Sequence, residues 1–191
     1  TGIKNILIGG FAGDAITDAD GNVAMGHSAM SSNTVGSYSV ALGFRALNNQ
    51  NPSSAADMYN TAVGTDAGLA ITTATLNTFV GGLAGDANTT GSANNAFGYD
   101  ALGANQTGGE NNAFGRNALG ANTGNGNSAF GHRALQANTS GLGNVAMGHS
   151  ALTASTTAAN NTGIGTNALG SAITGGGNTA VGKDAGVNIT T

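Results

Sequence analysis

The chain has 191 residues, a net charge of −4 and only 7% charged residues, which excludes both an ordinary charged globular surface and a self-repelling disordered tail. Hydrophobic residues reach 39%, but 34 residues are Ala, so large apolar side chains are too few for a compact core. Five Lys and Arg exclude a nucleic-acid surface, no apolar run approaches the ~18 residues of a membrane span, and the absence of Cys excludes disulfides and thiolate metal sites.

What remains is a low-complexity or repeated chain, and the repeat is present. The first residues, Thr1-Gly2-Ile3-Lys4-Asn5, lack the charged start and apolar stretch of a secretion leader. From there the string Asn-x-Ala-x-Gly recurs, as in Asn22–Gly26, Asn60–Gly64 and Asn178–Gly182. Its glycine falls at Gly9, Gly26, Gly43, Gly64, Gly81, Gly98, Gly115, Gly131, Gly148, Gly165 and Gly182, with spacings of 17 residues except for one of 21 and one of 16. Taking this glycine as position 0, Ala stands at +3 in every copy, Asn at −4 in all but Ser39, and an apolar residue at −1 throughout. Position −2 is Ala except at Leu7, Phe79 and Gly163, and Thr predominates at +8.

A unit of 17 residues is too short for a helix pair, and its pattern has period 2 rather than 3.6. Each unit therefore reads as one coil of an all-β parallel β-solenoid with two short strands. The first runs from Asn to Gly, the second covers the Ala-Leu pair, and Asn and Gly supply the corners. Eleven coils fill a single domain over 1–191, and like residues stack at ~4.8 Å per coil to give a rod of roughly 50 Å. The stacked amides of Asn22, Asn60, Asn77, Asn94, Asn111, Asn127, Asn144, Asn161 and Asn178 form a ladder that also bonds turn backbone.

If the −2 Ala faces the coil interior, the −1 column faces out as an unbroken apolar stripe. Such a stripe exceeds what a soluble monomer exposes and calls for other copies. Three parallel coils around an axis would bury Val80, Phe97, Phe114, Phe130, Met147 and Ile164. The opposite assignment, with this column inside, would allow a monomer.

In chain order, the irregularities begin at Asp18-Ala19-Asp20-Gly21-Asn22, which resembles the start of a calcium loop but has no downstream Glu. Residues 48–59 hold an insertion of four residues with the only Pro. Positions +1 and +2 vary most and mark a solvent-facing corner. They carry Phe44, Arg45, Tyr99, Arg116, His132, Arg133 and His149, the candidate contacts for a host-surface glycan or protein receptor. One residue is lost before Gly131. No catalytic set, metal site or cofactor site emerges, because the His residues repeat as one surface row with no carboxylate paired to them.

The string Asn-Thr-Ala-Val-Gly-x-x-Ala, at Asn60–Ala67 and Asn178–Ala185, resembles the head repeats of YadA-like trimeric autotransporter adhesins and the similar repeats of phage and viral tail fibres. The resemblance covers essentially the whole chain. It implies a left-handed parallel β-roll assembled as a homotrimer, extracellular, on a virion or bacterial surface. The coil is longer than the usual adhesin head coil, and the sequence has no neck or coiled coil. The chain begins and ends within repeat units, as expected of a segment of a longer array. An adhesive fibre segment is thus the leading expectation. An ice-binding solenoid is an alternative suggested by the Thr column, although Asn51, Gln106 and Ile173 interrupt it, and a spacer without ligand is another.

Overall fold

Three residues ahead of each position-0 glycine are extended, and the stacking of repeats lines them up. The computed structural model describes residues 2–171 and 174–189, so Ile173 lies outside the described residues. In it the chain winds as a parallel β-solenoid. The strands are β1 (Ile6–Ile8), β2 (Val23–Met25), β3 (Gly36–Ser37), β4 (Val40–Leu42), β5 (Ala56–Asp57), β6 (Thr61–Val63), β7 (Thr78–Val80), β8 (Asn95–Phe97), β9 (Asn112–Phe114), β10 (Ser128–Phe130), β11 (Val145–Met147), β12 (Thr162–Ile164) and β13 (Thr179–Val181). All but β3 and β5 form one 11-stranded parallel sheet in coil order, while β3 and β5 pair with each other. The register places like on like: Ala96 opposes Ala113, and Phe97 opposes Phe114.

The central strand residue points inward and its neighbours outward, as the pleat requires. The −2 Ala residues Ala24, Ala41, Ala62, Ala96, Ala113, Ala129 and Ala146 are fully buried. The −1 residues lie on the outer face, so this column does not fill the coil interior.

The second expected strand does not form. Among the described residues each coil gives the main sheet one strand, and the Ala-Leu stretch is a run of turns. The reason is that both members of the pair must point inward. Ala101 and Leu102, Ala118 and Leu119, and Ala134 and Leu135 are all fully buried. Adjacent residues of an extended strand would face opposite sides. The backbone solves this by alternating the sign of φ: Asp100 (φ 56) and Leu102 (φ 54) are left-handed, as are Asn117 (φ 56) and Leu119 (φ 52). Positions −5, 0, +2 and +4 are left-handed in every coil, including at bulky residues such as Tyr38, Arg45 and Leu135. Each such residue costs roughly 1–2 kcal/mol outside Gly. Bonds between coils offset this: Asp100 N donates to Gly82 O at 3.0 Å, and Leu102 N to Ala118 O at 3.0 Å.

The position-0 glycine has a further reason. A Cβ on Gly98 (φ 141) would lie 2.7 Å from the carbonyl of Gly115 in the next coil.

In two coils a large −2 side chain takes the volume that Leu fills at +4 in most others. Where −2 is Phe79, position +4 is Gly85, and the preceding coil has Gly68; a Cβ on Gly85 would be 2.5 Å from the Phe79 ring. Where −2 is Leu7, position +4 is Gly13, and a Cβ there would meet Leu7 at 2.7 Å.

The insertion is narrower than residues 48–59. Asn48 and Gln50 keep the regular turn bonds, to Arg45 O at 3.2 Å and Leu47 O at 3.1 Å. Pro52 is buried and Met58 is fully buried, while residues 53–55 between them are exposed. The lost residue also has a location. Asn105 Nδ2 donates to Gly108 O three residues on, whereas Asn122 Nδ2 donates to Gly124 O two residues on, so the turn after Asn122 is the shorter one.

Candidate functional site

The amide column at −4 is scaffold. Asn94 N donates to Asn77 Oδ1 at 2.9 Å, Asn111 N to Asn94 Oδ1 at 3.0 Å, and Asn161 N to Asn144 Oδ1 at 3.0 Å. The side-chain amide donates across the coil to the long turn, as Asn94 Nδ2 does to Gly108 O at 2.8 Å. It also reaches the preceding Asn, as in Asn111 Nδ2 to Asn94 Oδ1 at 3.1 Å and Asn144 Nδ2 to Asn127 Oδ1 at 3.1 Å. Asn22, Asn60, Asn77, Asn127 and Asn178 make corresponding bonds.

A second polar column was missed by the sequence reading. Asn33, Gln50, Asn88, Asn105, Asn122, Asn138 and Ser155 occupy position +7 and are fully buried. Asn138 Nδ2 donates to Asn122 Oδ1 at 2.6 Å, and Asn127 Nδ2 to Asn122 Oδ1 at 3.2 Å, which joins the two columns. The signal was available as a recurrent amide eleven residues after the first. It also explains the one exception at −4. Ser39 is short, Gln50 in the same coil is long, and Gln50 Oε1 accepts from Ser39 Oγ at 3.3 Å and Asn60 Nδ2 at 2.9 Å.

The +8 threonines belong to this scaffold as well. Thr89 Oγ1 donates to Gln106 O at 3.0 Å, Thr123 Oγ1 to Thr139 O at 2.8 Å, and Thr139 Oγ1 to Thr156 O at 3.0 Å. Their hydroxyl protons are thus committed along the rod. Asp20 of the calcium-loop-like segment accepts from Ile3 N at 2.6 Å.

Two exposed features remain. The first is the −1 file. Phe97 and Phe114 stack at 4.7 Å with 8° between planes, and Phe114 and Phe130 at 5.0 Å with 10°. Phe97 is 37% exposed, Phe130 37% and Met147 46%, while Val80, Phe114 and Ile164 are half-buried.

The second feature is the corner row. Phe44 stacks on His27 at 5.7 Å, and the Arg45 guanidinium lies 5.0 Å from the Phe44 ring centre. Arg45 is not a free cation. Its Nε and Nη2 donate to the two Asp66 oxygens at 2.7 Å each, which keeps the guanidinium charged above its already high ordinary pKa. Further along, Tyr99, Arg116, His132 and His149 follow one another in successive coils. Backbone bonds fix that register: Asn117 N donates to Tyr99 O, Arg133 N to Arg116 O, and Ser150 N to His132 O, each at 3.0 Å. The His132 and His149 rings are 5.1 Å apart. Desolvation first, then the charges of His149, Arg116 and Arg133, push the His132 pKa below its ordinary value.

The long turns also hold a shallow groove of about 370 Å³ lined by Thr90, Ser92, Thr107, Glu110 and Asn125. Among the described residues no three His, Asp or Glu gather as a metal site would require, and no helix is long and apolar enough to cross a membrane.

The chain matches no family model, no curated protein and no solved structure.

Acidic residues instead give a pH effect. Burial, then repulsion from Asp100 and Asp66, raises the Asp86 carboxyl above its ordinary value, and burial raises Asp100. A carboxyl with a raised folded pKa adds stability that is full below its unfolded pKa and lost as pH rises through the folded one. Asp86→Asn is therefore expected to raise Tm at pH 7. The half-exposed site limits the gain to below about 1 kcal/mol, or under about 4 °C. Thermal unfolding followed by circular dichroism should show that gain vanish at pH 3.

Proposed function

We propose that the chain is a segment of a rigid homotrimeric fibre, extracellular on a virion or bacterial surface, that presents its corner row for attachment to a host-surface glycan or protein. The observation that carries this reading is the outward −1 file. It is apolar in every coil, while the coil interior is already filled by Ala, Leu and the amide columns. The file has no room to turn inward. Burying each large side chain against neighbouring copies contributes about 1.5–3 kcal/mol. Parallel association around an axis would bring equivalent coils level, so Phe97, Phe114 and Phe130 of three chains would meet as one apolar segment.

Light scattering tests the assembly. The expected mass is three times the 18.3 kDa of the chain. Phe114→Asp sets a charge in the middle of the buried file and is expected to give monomers whose circular dichroism still reports the solenoid. A monomeric parent chain would end this reading.

A further inference from the structure

We propose that the corner row of four successive coils, Tyr99, Arg116, His132 and His149 with Arg133 beside them, binds an anionic polysaccharide laid along the rod. The inference rests on reading this row as the attachment face and names the chemical class that it takes.

The first support is the distribution of charge. Residues 111–183 contain no Asp or Glu at all, although the chain has nine acidic residues and a net charge of −4. Eight of the nine precede residue 111, and the other is Asp184. The rod is therefore acidic along its first coils and carries only positive charge over the next ones. Arg116, Arg133, His132 and His149 stand in that acid-free region.

The second support is that these cations have no countercharge. Among the described residues the carboxylate pairs are Arg45 with Asp66 and Lys183 with Asp184. Arg133 Nε donates to the neutral Gln136 Oε1 at 2.7 Å. Asp100, one coil before Arg116, accepts from Asn117 Nδ2. Arg116 and Arg133 thus stand in successive coils with no carboxylate paired to either, an arrangement that an external anion relieves.

The third support is shape. Arg116, Arg133 and His149 are exposed, and Tyr99, also exposed, lies at one end of the row. A linear file of donors on a shallow surface suits an extended polymer with repeated sulfate or carboxylate groups, and the Tyr99 ring offers a face to a sugar ring. The groups facing His132 are His149, Arg116 and Arg133, all of which disfavour its protonation. Bound anions reverse that balance, so binding takes up protons and strengthens as pH falls through the imidazole range.

Calorimetric titration of the full chain with dextran sulfate, hyaluronate and neutral dextran tests this at low salt. Dextran sulfate or hyaluronate should bind about tenfold more tightly at pH 5.5 than at pH 7.5, and added salt should weaken the binding. The arm that binds more tightly identifies sulfate or carboxylate as the group recognised. The double variant Arg116→Gln/Arg133→Gln should lose at least about tenfold in affinity, while Lys183→Gln should not change it. The His132 and His149 ring protons should shift on titration in the parent chain. Four results would overturn the proposal: no binding of either anionic polymer, equal binding of neutral dextran, no loss in the double variant, or equal binding of single-stranded DNA. The mass measured on the same samples keeps the two readings apart. A trimer that ignores both polymers defeats only this inference, and a monomer that binds one defeats only the trimer.

Discussion

Phe79→Ala is expected to cost about 3–5 kcal/mol, and adding Gly85→Leu should restore most of it. Phe79 is fully buried at a position that is Ala in most coils. Truncating it leaves a cavity beside Gly68 and Gly85 that the stacked coils above and below cannot collapse into. Gly85→Leu alone is also destabilising, because its Cβ would stand 2.5 Å from the Phe79 ring. Together the two changes rebuild the Ala-and-Leu coil found at Ala96 and Leu102. Gly85 has φ 57 and Leu102 φ 54, so the backbone already accepts Leu there. Chemical denaturation of the two single variants and the double variant should give a coupling of several kcal/mol. Additive costs would mean that the exchange of volume between −2 and +4 is coincidental.

Gly115→Ala should be as severe, and for a backbone reason. Its φ is 138, where L side chains are strained, and the new Cβ would be 2.6 Å from the carbonyl of Gly131. The obstacle is main chain, so relief requires separating two coils and losing their ladder bonds. The expected loss exceeds about 3 kcal/mol, beyond the 1–2 kcal/mol of a left-handed Ala alone. Gly126→Ala supplies that comparison. Gly126 has φ 68 with nothing within 4 Å of the added Cβ. Equal losses at the two sites would show that dihedral preference, not the close approach of coils, keeps the column glycine.

Much of this architecture was legible because stacking copies the sequence period into space. The spacing of the glycines is enough to align Ala96 with Ala113 and Asn77 with Asn94, and the paired strands do so. Tyr99, Arg116, His132 and His149 fall into one file for the same reason. What escaped was the path within a coil. Ala101 and Leu102 look like strand residues until both are required inside a thin coil, and only alternating φ puts them there. The column from Asn33 to Ser155 looked like ordinary turn composition, because a buried amide and a solvated one have the same letter. The pairing of Arg45 with Asp66 was equally hidden, since it joins residues 21 apart through the one lengthened coil.

The sequence by itself determined the period, the stacking partners and the positions where glycine is obligatory, because a parallel coil repeats every neighbour at a fixed interval. The tertiary structure decided which side of the chain each residue occupies: Leu and the second amide inward, the Phe file and the cationic corner outward. That choice depends on the order of left- and right-handed residues around the coil. The order is imposed by the need to close a narrow coil while bonding every turn to its neighbours, a condition no single repeat meets alone.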